Sequence, residues 1–172
     1  MKLTHVEANN RKHVFEVRTR TRSFVLPYSV VEPTPSPQDK IAEVAVDPEL
    51  GNEGFTYVLE SGAEGSVHID AVLEYNRDPG YMADLKLYRL TTVARELFEA
   101  SGLSVREVAR RLATSPAQLY RLLDPTNYSK SLRQTVSLLY VLGYDVDFAV
   151  KEHRASHLVG LGSDPGRARA RA

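Results

Sequence analysis

The chain has 172 residues, is 42% hydrophobic and contains no cysteine, so it can bury a core but has no disulfides, no cysteine-bound zinc and no thiol chemistry. Its 22 Lys/Arg balance its 22 Asp/Glu, yet the charges are unevenly placed: residues 1–84 hold 8 basic and 14 acidic side chains, residues 85–172 hold 14 and 8. The second half is the one suited to a polyanion, and the first half would be repelled by the same partner.

No run of about 18 apolar residues exists to cross a bilayer, and the opening MKLTHVEANNRKH lacks the apolar middle of a signal peptide. The expectation is a cytoplasmic protein without membrane contact. Residues 13–17 alternate in polarity, 18–22 (RTRTR) continue with period two, and 23–31 carry β-branched and aromatic residues up to a proline-rich break at 32–37. Residues 41–46 alternate again, 55–59 form another strand pattern after the turn-rich DPELGNEG, and 66–69 follow the turn SGAEG. Four or five antiparallel strands are expected. Asp70 caps a helical turn or two at 70–75, which NRDPG ends.

From Ala83 the period becomes helical. Leu85, Tyr88, Val93, Leu97 and Phe98 define a helix over about 84–100 that Gly102 stops. In SVREVARRLATSPAQLYRLL, Ser104 precedes Glu107 by three residues and Ser115 precedes Gln118 by three, the spacing of a capping box each time. Pro116 at a first helical position keeps the two helices apart. Val105, Val108, Ala109 and Leu112 then face Leu119, Leu122 and Leu123, and two helices at a steep angle across a short turn make a helix-turn-helix. Leu132, Val136, Leu139 and Leu142 mark a last helix over 131–142, and alternating Val146, Phe148 and Val150 predict a strand at 144–151. Residues 153–172, rich in Gly, Ala and Arg towards the end, read as a flexible basic tail.

The exposed positions of the paired helices supply donors for phosphate: Arg106, Arg110 and Arg111 on the first, Gln118 and Arg121 on the second, and Asn127, Tyr128, Ser129, Lys130 and Arg133 around the following loop. Residues 85–144 hold 9 Lys/Arg against 4 Asp/Glu. The stretch LSVREVARRLATSPAQLYRLLDPTNYSKSLRQTVSLLYVLGYDV, 103–146, resembles the Cro/phage-repressor (XRE) class of helix-turn-helix proteins. It is most similar to the antitoxin-like branch, which ends in a helix followed by LG-x-D-V. The likeness rests on Val108-Ala109, the turn 112–115, the 119–122 core and the run 139–142 before Gly143. It departs from the pattern at Ala113, where Gly is common, and at Pro116, where a polar residue is common. More loosely, KHVFEVRTRTRSFVLPYSV and ID-x-VLEYNRDP resemble small β-rich bacterial domains of unassigned function found beside such units.

The resemblance implies that Ser115, Ala117, Gln118 and Arg121 lie nearest the base edges, with Tyr120 at the flank and Ser104 and Thr114 at the adjoining ends. Arg121 would read guanine and Gln118 adenine, each contact contributing roughly 1–3 kcal/mol of discrimination. Gln118 has a second use open to it, folding back to close the Ser115 box.

Other features read more plainly. The Arg18, Arg20, Arg22 row is a solvated strand edge rather than a groove-binding ribbon. His153 and His157 stand at i,i+4 without the glutamate of a metalloprotease motif, and Glu53, Glu60, Glu64, Asp70 and Glu74 read as solvated surface or a partner face. With no phosphate loop, no G-x-S-x-G and no paired carboxylates in a cleft pattern, no enzyme, cofactor or metal site is expected.

The expected fold is α+β: a small antiparallel β domain with one short helix (1–80), then a four- to five-helix XRE-type helix-turn-helix domain with a short strand (81–152), then the tail. The expected function is sequence-specific binding of double-stranded DNA by a homodimeric transcriptional regulator, a repressor. Three surfaces are open for the dimer: the last helix, the 144–151 strand and the acidic domain. The alternative is an antitoxin that masks its toxin through the N-terminal domain and autoregulates its operon. A third reading gives the first half a small ligand or RNA and leaves the helices to dimerise.

Overall fold

The computed structural model describes residues 1–152 as an α+β arrangement of two three-stranded antiparallel sheets and five α-helices. The predicted tail, with His153 and His157, lies outside the described residues. Strands β1 (Leu3–Asn9), β2 (Val14–Thr19) and β3 (Ser23–Pro27) form one meander, and β4 (Ile41–Val46), β5 (Gly54–Leu59) and β6 (Glu64–His68) form the other. Six strands replace the expected four or five. The unforeseen β1 carries a bulge between Leu3 and His5, so its inward residues Leu3 and Val6 fall three apart and the period-two signal is lost.

The expected run of alternating arginines is corrected too. Thr19 ends β2, and its amide donates to Arg22 O at 2.8 Å while its hydroxyl accepts from Arg22 N at 3.1 Å, so the chain turns where the sequence pattern continued straight. The strand register puts Phe15 opposite Leu26, Val17 opposite Phe24 and Phe55 opposite Val67. These inner faces share one core, in which Phe15 packs on Tyr28, Phe55 and Tyr57 with ring centroids 4.8, 4.8 and 5.1 Å away. The buried hydroxyls are satisfied: Tyr57 Oη donates to Pro33 O at 2.7 Å and Tyr28 Oη to Asn10 Oδ1 at 3.1 Å. Burial pushes both phenols up to about 12.

Helix α1 (Ile69–Tyr75) buries Ile69, Val72 and Leu73 on that core. Its cap is His68, whose Nδ1 accepts the Asp70 amide at 3.3 Å, and the expected cap Asp70 lies within the first turn. Helix α2 (Pro79–Ala100) starts five residues before the predicted boundary, at an aspartate cap followed by proline. Its inward residues are Leu90, Thr91, Ala94, Leu97 and Phe98, while the predicted face residues Tyr88 and Val93 are exposed. Helices α3 (Val105–Arg111), α4 (Pro116–Leu123) and α5 (Leu132–Val141) complete a second core with Ala94, Val108, Ala109, Leu119, Leu122, Leu123, Leu138 and Leu139. Leu132, expected in the core, is exposed at the start of α5. No strand forms at 144–151: a strand needs a ladder partner, and none is present among the described residues. Among the described residues no helix is long and apolar enough to cross a membrane.

Asp78 ties the β2–β3 hairpin to the start of α2. Its Oδ1 accepts the Tyr81 amide at 2.9 Å and caps α2, and its Oδ2 forms an ion pair with Arg22, without well-directed hydrogen-bond geometry. Arg22 also lies over the Phe24 ring, 5.0 Å from its centroid, and Asn76 Nδ2 donates to Val25 O at 2.9 Å. The Tyr81 amide, and Arg22 after it, hold the carboxyl below its ordinary 3.8 against the effect of burial. Asp78→Ala is therefore expected to cost about 1–2 kcal/mol in urea unfolding at neutral pH. A carboxylate with a depressed folded pKa contributes fully above its unfolded value and loses that contribution as pH falls through the folded value. The native and variant stabilities should converge only in acid below about pH 4; a gap unchanged at pH 2 would contradict this account.

Candidate functional site

Ser104 and Ser115 start α3 and α4 as the sequence predicts, their hydroxyls accepting the Glu107 and Gln118 amides, each at 3.2 Å. Neither motif closes into a full capping box. The Glu107 carboxylate turns instead to Arg110 Nη2 at 3.0 Å and Arg111 Nε at 2.9 Å, and these contacts hold it below the usual carboxylate range. The Gln118 side-chain amide has no hydrogen-bond partner among the described residues, so it remains available at the surface. The closed box lies one helix later, where Ser131 Oγ accepts Gln134 N at 3.3 Å and Gln134 Oε1 accepts Ser131 N at 3.2 Å.

Between α3 and α4 the reversal takes four residues. Ala113 adopts φ 51, the left-handed region, and the Thr114 amide reaches back to Ala109 O at 2.9 Å while the Ala113 amide reaches Arg110 O at 3.1 Å. This is the bond pattern that ends helices, built on alanine where glycine is favoured. Ser115 is extended and Pro116 opens α4. Leu119 is fully buried and Leu122 and Leu123 nearly so, which turns Thr114, Ser115, Ala117, Gln118, Tyr120 and Arg121 outward. Tyr120 is 62% exposed on this face.

An open groove of about 790 Å³ runs beside α4. It brings together seven of the predicted residues: Thr114, Gln118, Arg121, Asn127, Ser129, Lys130 and Arg133. Ser104, Arg106, Arg110, Ser115, Ala117, Tyr120 and Tyr128 are exposed but do not line it. The groove also includes Gln134 and Ser137, missed in the sequence, although their i,i+3 spacing on one helix was a readable signal. Its charged lining is Arg121, Lys130 and Arg133, with no carboxylate.

Two predicted donors are placed differently from expectation. Lys130 is buried, and its Nζ donates to Asp124 O at the end of α4, where burial pushes its pKa down. It closes the helix end rather than offering a free cation. Asn127 is half-buried and spends its side chain within the loop: Nδ2 donates to Arg121 O at 3.0 Å, and Oδ1 accepts Ser129 N at 3.1 Å and Ser129 Oγ at 2.6 Å. Asp124 also serves the loop, its carboxyl held low by the Thr126 hydroxyl and amide. Tyr128 sits away from the groove, near enough to Tyr81 to raise that phenol after burial, Asp70 and Glu74. Arg106, Arg121 and Arg133 make no ion pair among the described residues.

Comparison with family models, with curated proteins and with solved structures finds no match.

The left-handed alanine is open to test. Ala113→Gly removes the Cβ penalty at φ 51 and is expected to raise stability by about 1 kcal/mol, seen as a higher urea midpoint at unchanged m-value. A lowered midpoint would show that the turn is not formed as described.

Proposed function

We propose that this chain is a sequence-specific DNA-binding transcriptional regulator, a repressor, that acts as a dimer through a helix-turn-helix of the XRE type built from α3 and α4. In this reading residues 1–80 are a β-rich domain and 81–152 the DNA-binding domain. The observation that carries it is the outward start of α4, with Ser115, Ala117, Gln118 and Arg121 exposed beside a groove whose charged lining is entirely basic. A duplex presents phosphates on both rims of its major groove and base edges at the floor. Arg121 and the uncommitted Gln118 amide suit the base edges, Arg106 and Arg133 the phosphates. Glu107 works against this, because it holds two arginines of α3 in ion pairs. A short recognition helix reads few base pairs, so two copies on paired half-sites about one helical turn apart are required for useful specificity.

Selection from random genomic fragments followed by sequencing is expected to enrich one roughly palindromic site for the native chain. Arg121→Ala should lose about 1–3 kcal/mol of discrimination at a defined base pair. Enrichment of no site would end the proposal.

A salt series separates the side chains further. Glu107→Gln is expected to tighten binding and steepen the dependence of log K on log salt, since freeing Arg110 and Arg111 adds phosphate contacts of about 0.9 slope unit each. Lys130→Met should leave that slope unchanged, because its ammonium is held on Asp124 O. A slope lowered by Lys130→Met would place this lysine on a phosphate after all.

A further inference from the structure

After Gly143 the chain runs from Tyr144 to Glu152 with no helix, turn or bend. The Tyr144 amide donates to Leu139 O at 2.9 Å, and beyond it no backbone group from Asp145 to Lys151 makes a hydrogen bond among the described residues. The sequence alternates along this stretch, and an extended backbone puts Tyr144, Val146, Phe148 and Val150 on one side and Asp145, Asp147, Ala149 and Lys151 on the other. Val146 packs against the helical core, which identifies the inward side, whereas Phe148 is 65% and Val150 98% exposed. The segment has the sequence of a half-buried strand and, among the described residues, the surroundings of none.

We propose that this segment pairs with the same segment of a second copy of the chain, in an antiparallel ribbon centred on Phe148. Two-fold self-pairing makes the numbers of facing residues add to a constant, and the charges choose among the constants. Centring on Phe148 sets Asp145 opposite the partner's Lys151, Val146 opposite the partner's Val150 and Asp147 opposite the partner's Ala149. Oppositely charged and apolar pairs then form together. Centring on Asp147 would set two aspartates face to face. Centring on Val146 would set Asp145 against the partner's Asp147. Centring on Ala149 would keep a charge pair, Asp147 against the partner's Lys151, but would set the inward Val146 against the partner's Glu152. A slip of one residue would mix the apolar and polar faces. The ribbon extends the helical core, since Val146 already belongs to it and Phe148 and Val150 continue the same side. The inference deepens the dimer of the proposed function and rests on that part of it alone.

The chain has no cysteine, so introduced ones report without background. In the full chain, Phe148→Cys is expected to give a disulfide-linked dimer on mild oxidation. Val150→Cys alone is not, because the two copies of residue 150 lie about 14 Å apart along the ribbon. If loss of the phenyl ring weakens the pairing, a mixture of Val146→Cys and Val150→Cys chains should still cross-link, as mixed dimers only. Asp145→Lys and Lys151→Asp should each raise the dimer dissociation constant about tenfold in sedimentation equilibrium, and the double variant should restore it. Cross-linking by Ala149→Cys in preference to Phe148→Cys, or no restoration by the charge swap, would overturn the register. A native dimer with no cross-link at any of these positions would overturn the interface. Each result is independent of DNA: a chain that selects a palindromic site yet fails these tests keeps its proposed function with another interface, and a cross-linked dimer that selects no site keeps this interface without that function.

Discussion

Four residues, 112–115, are all the chain has in which to reverse between α3 and α4, and the outward surface depends on that reversal. Helices of seven and eight residues are too short to persist alone, so both exist because their apolar stripes are packed. The turn decides which stripe meets which. Ala113 accepts a left-handed backbone, Ala109 and Arg110 receive the returning amides, and the Ser115–Pro116 pair begins a new helix at a fixed place. With Leu119, Leu122 and Leu123 committed to the core, the side chains between them face water by necessity.

The cations around this surface are unequal in what they offer a partner. Arg106, Arg121 and Arg133 stand unpaired among the described residues, Arg110 and Arg111 share one carboxylate, and Lys130 is withdrawn into the end of α4. An excess of basic residues counted over a segment therefore overstates the positive potential at any one place on it. The loop polar groups show the same economy, since Asn127, Asp124 and Ser129 bond to one another or to nearby backbone and give the loop its shape.

Local signals carried much of the architecture. Serines three residues before a glutamate or glutamine, Pro116, Gly102 and Gly143 mark helix ends that the structure places within a residue or two of expectation, because capping is settled inside one turn of chain. The failures required knowledge of a distant partner or an irregular backbone. A bulge hid β1, the hydrogen bonds of Thr19 ended a pattern that looked continuous, and the early start of α2 was written in Asp78–Pro79 but read as part of a turn. The outward-facing residues of the candidate site were legible from helical spacing. The inward course of Lys130 was not, because only the packed loop shows that a carbonyl awaits it. The 144–151 stretch has strand spacing without a strand, since alternation states which face is apolar and says nothing about who supplies the ladder.

Helix α2 spans 22 residues, about 33 Å, with one end clamped by Asp78 and Arg22 beside the β2–β3 hairpin and the other inside the helical core. A rod held that way is a lever. Rocking the hairpin end by about 5° sweeps the far end through about 3 Å, more than half the rise of one helical turn. A small change of tilt at the Asp78 cap is thus magnified along the helix, and the packing of Ala94, Leu97 and Phe98 is what holds the far end against it.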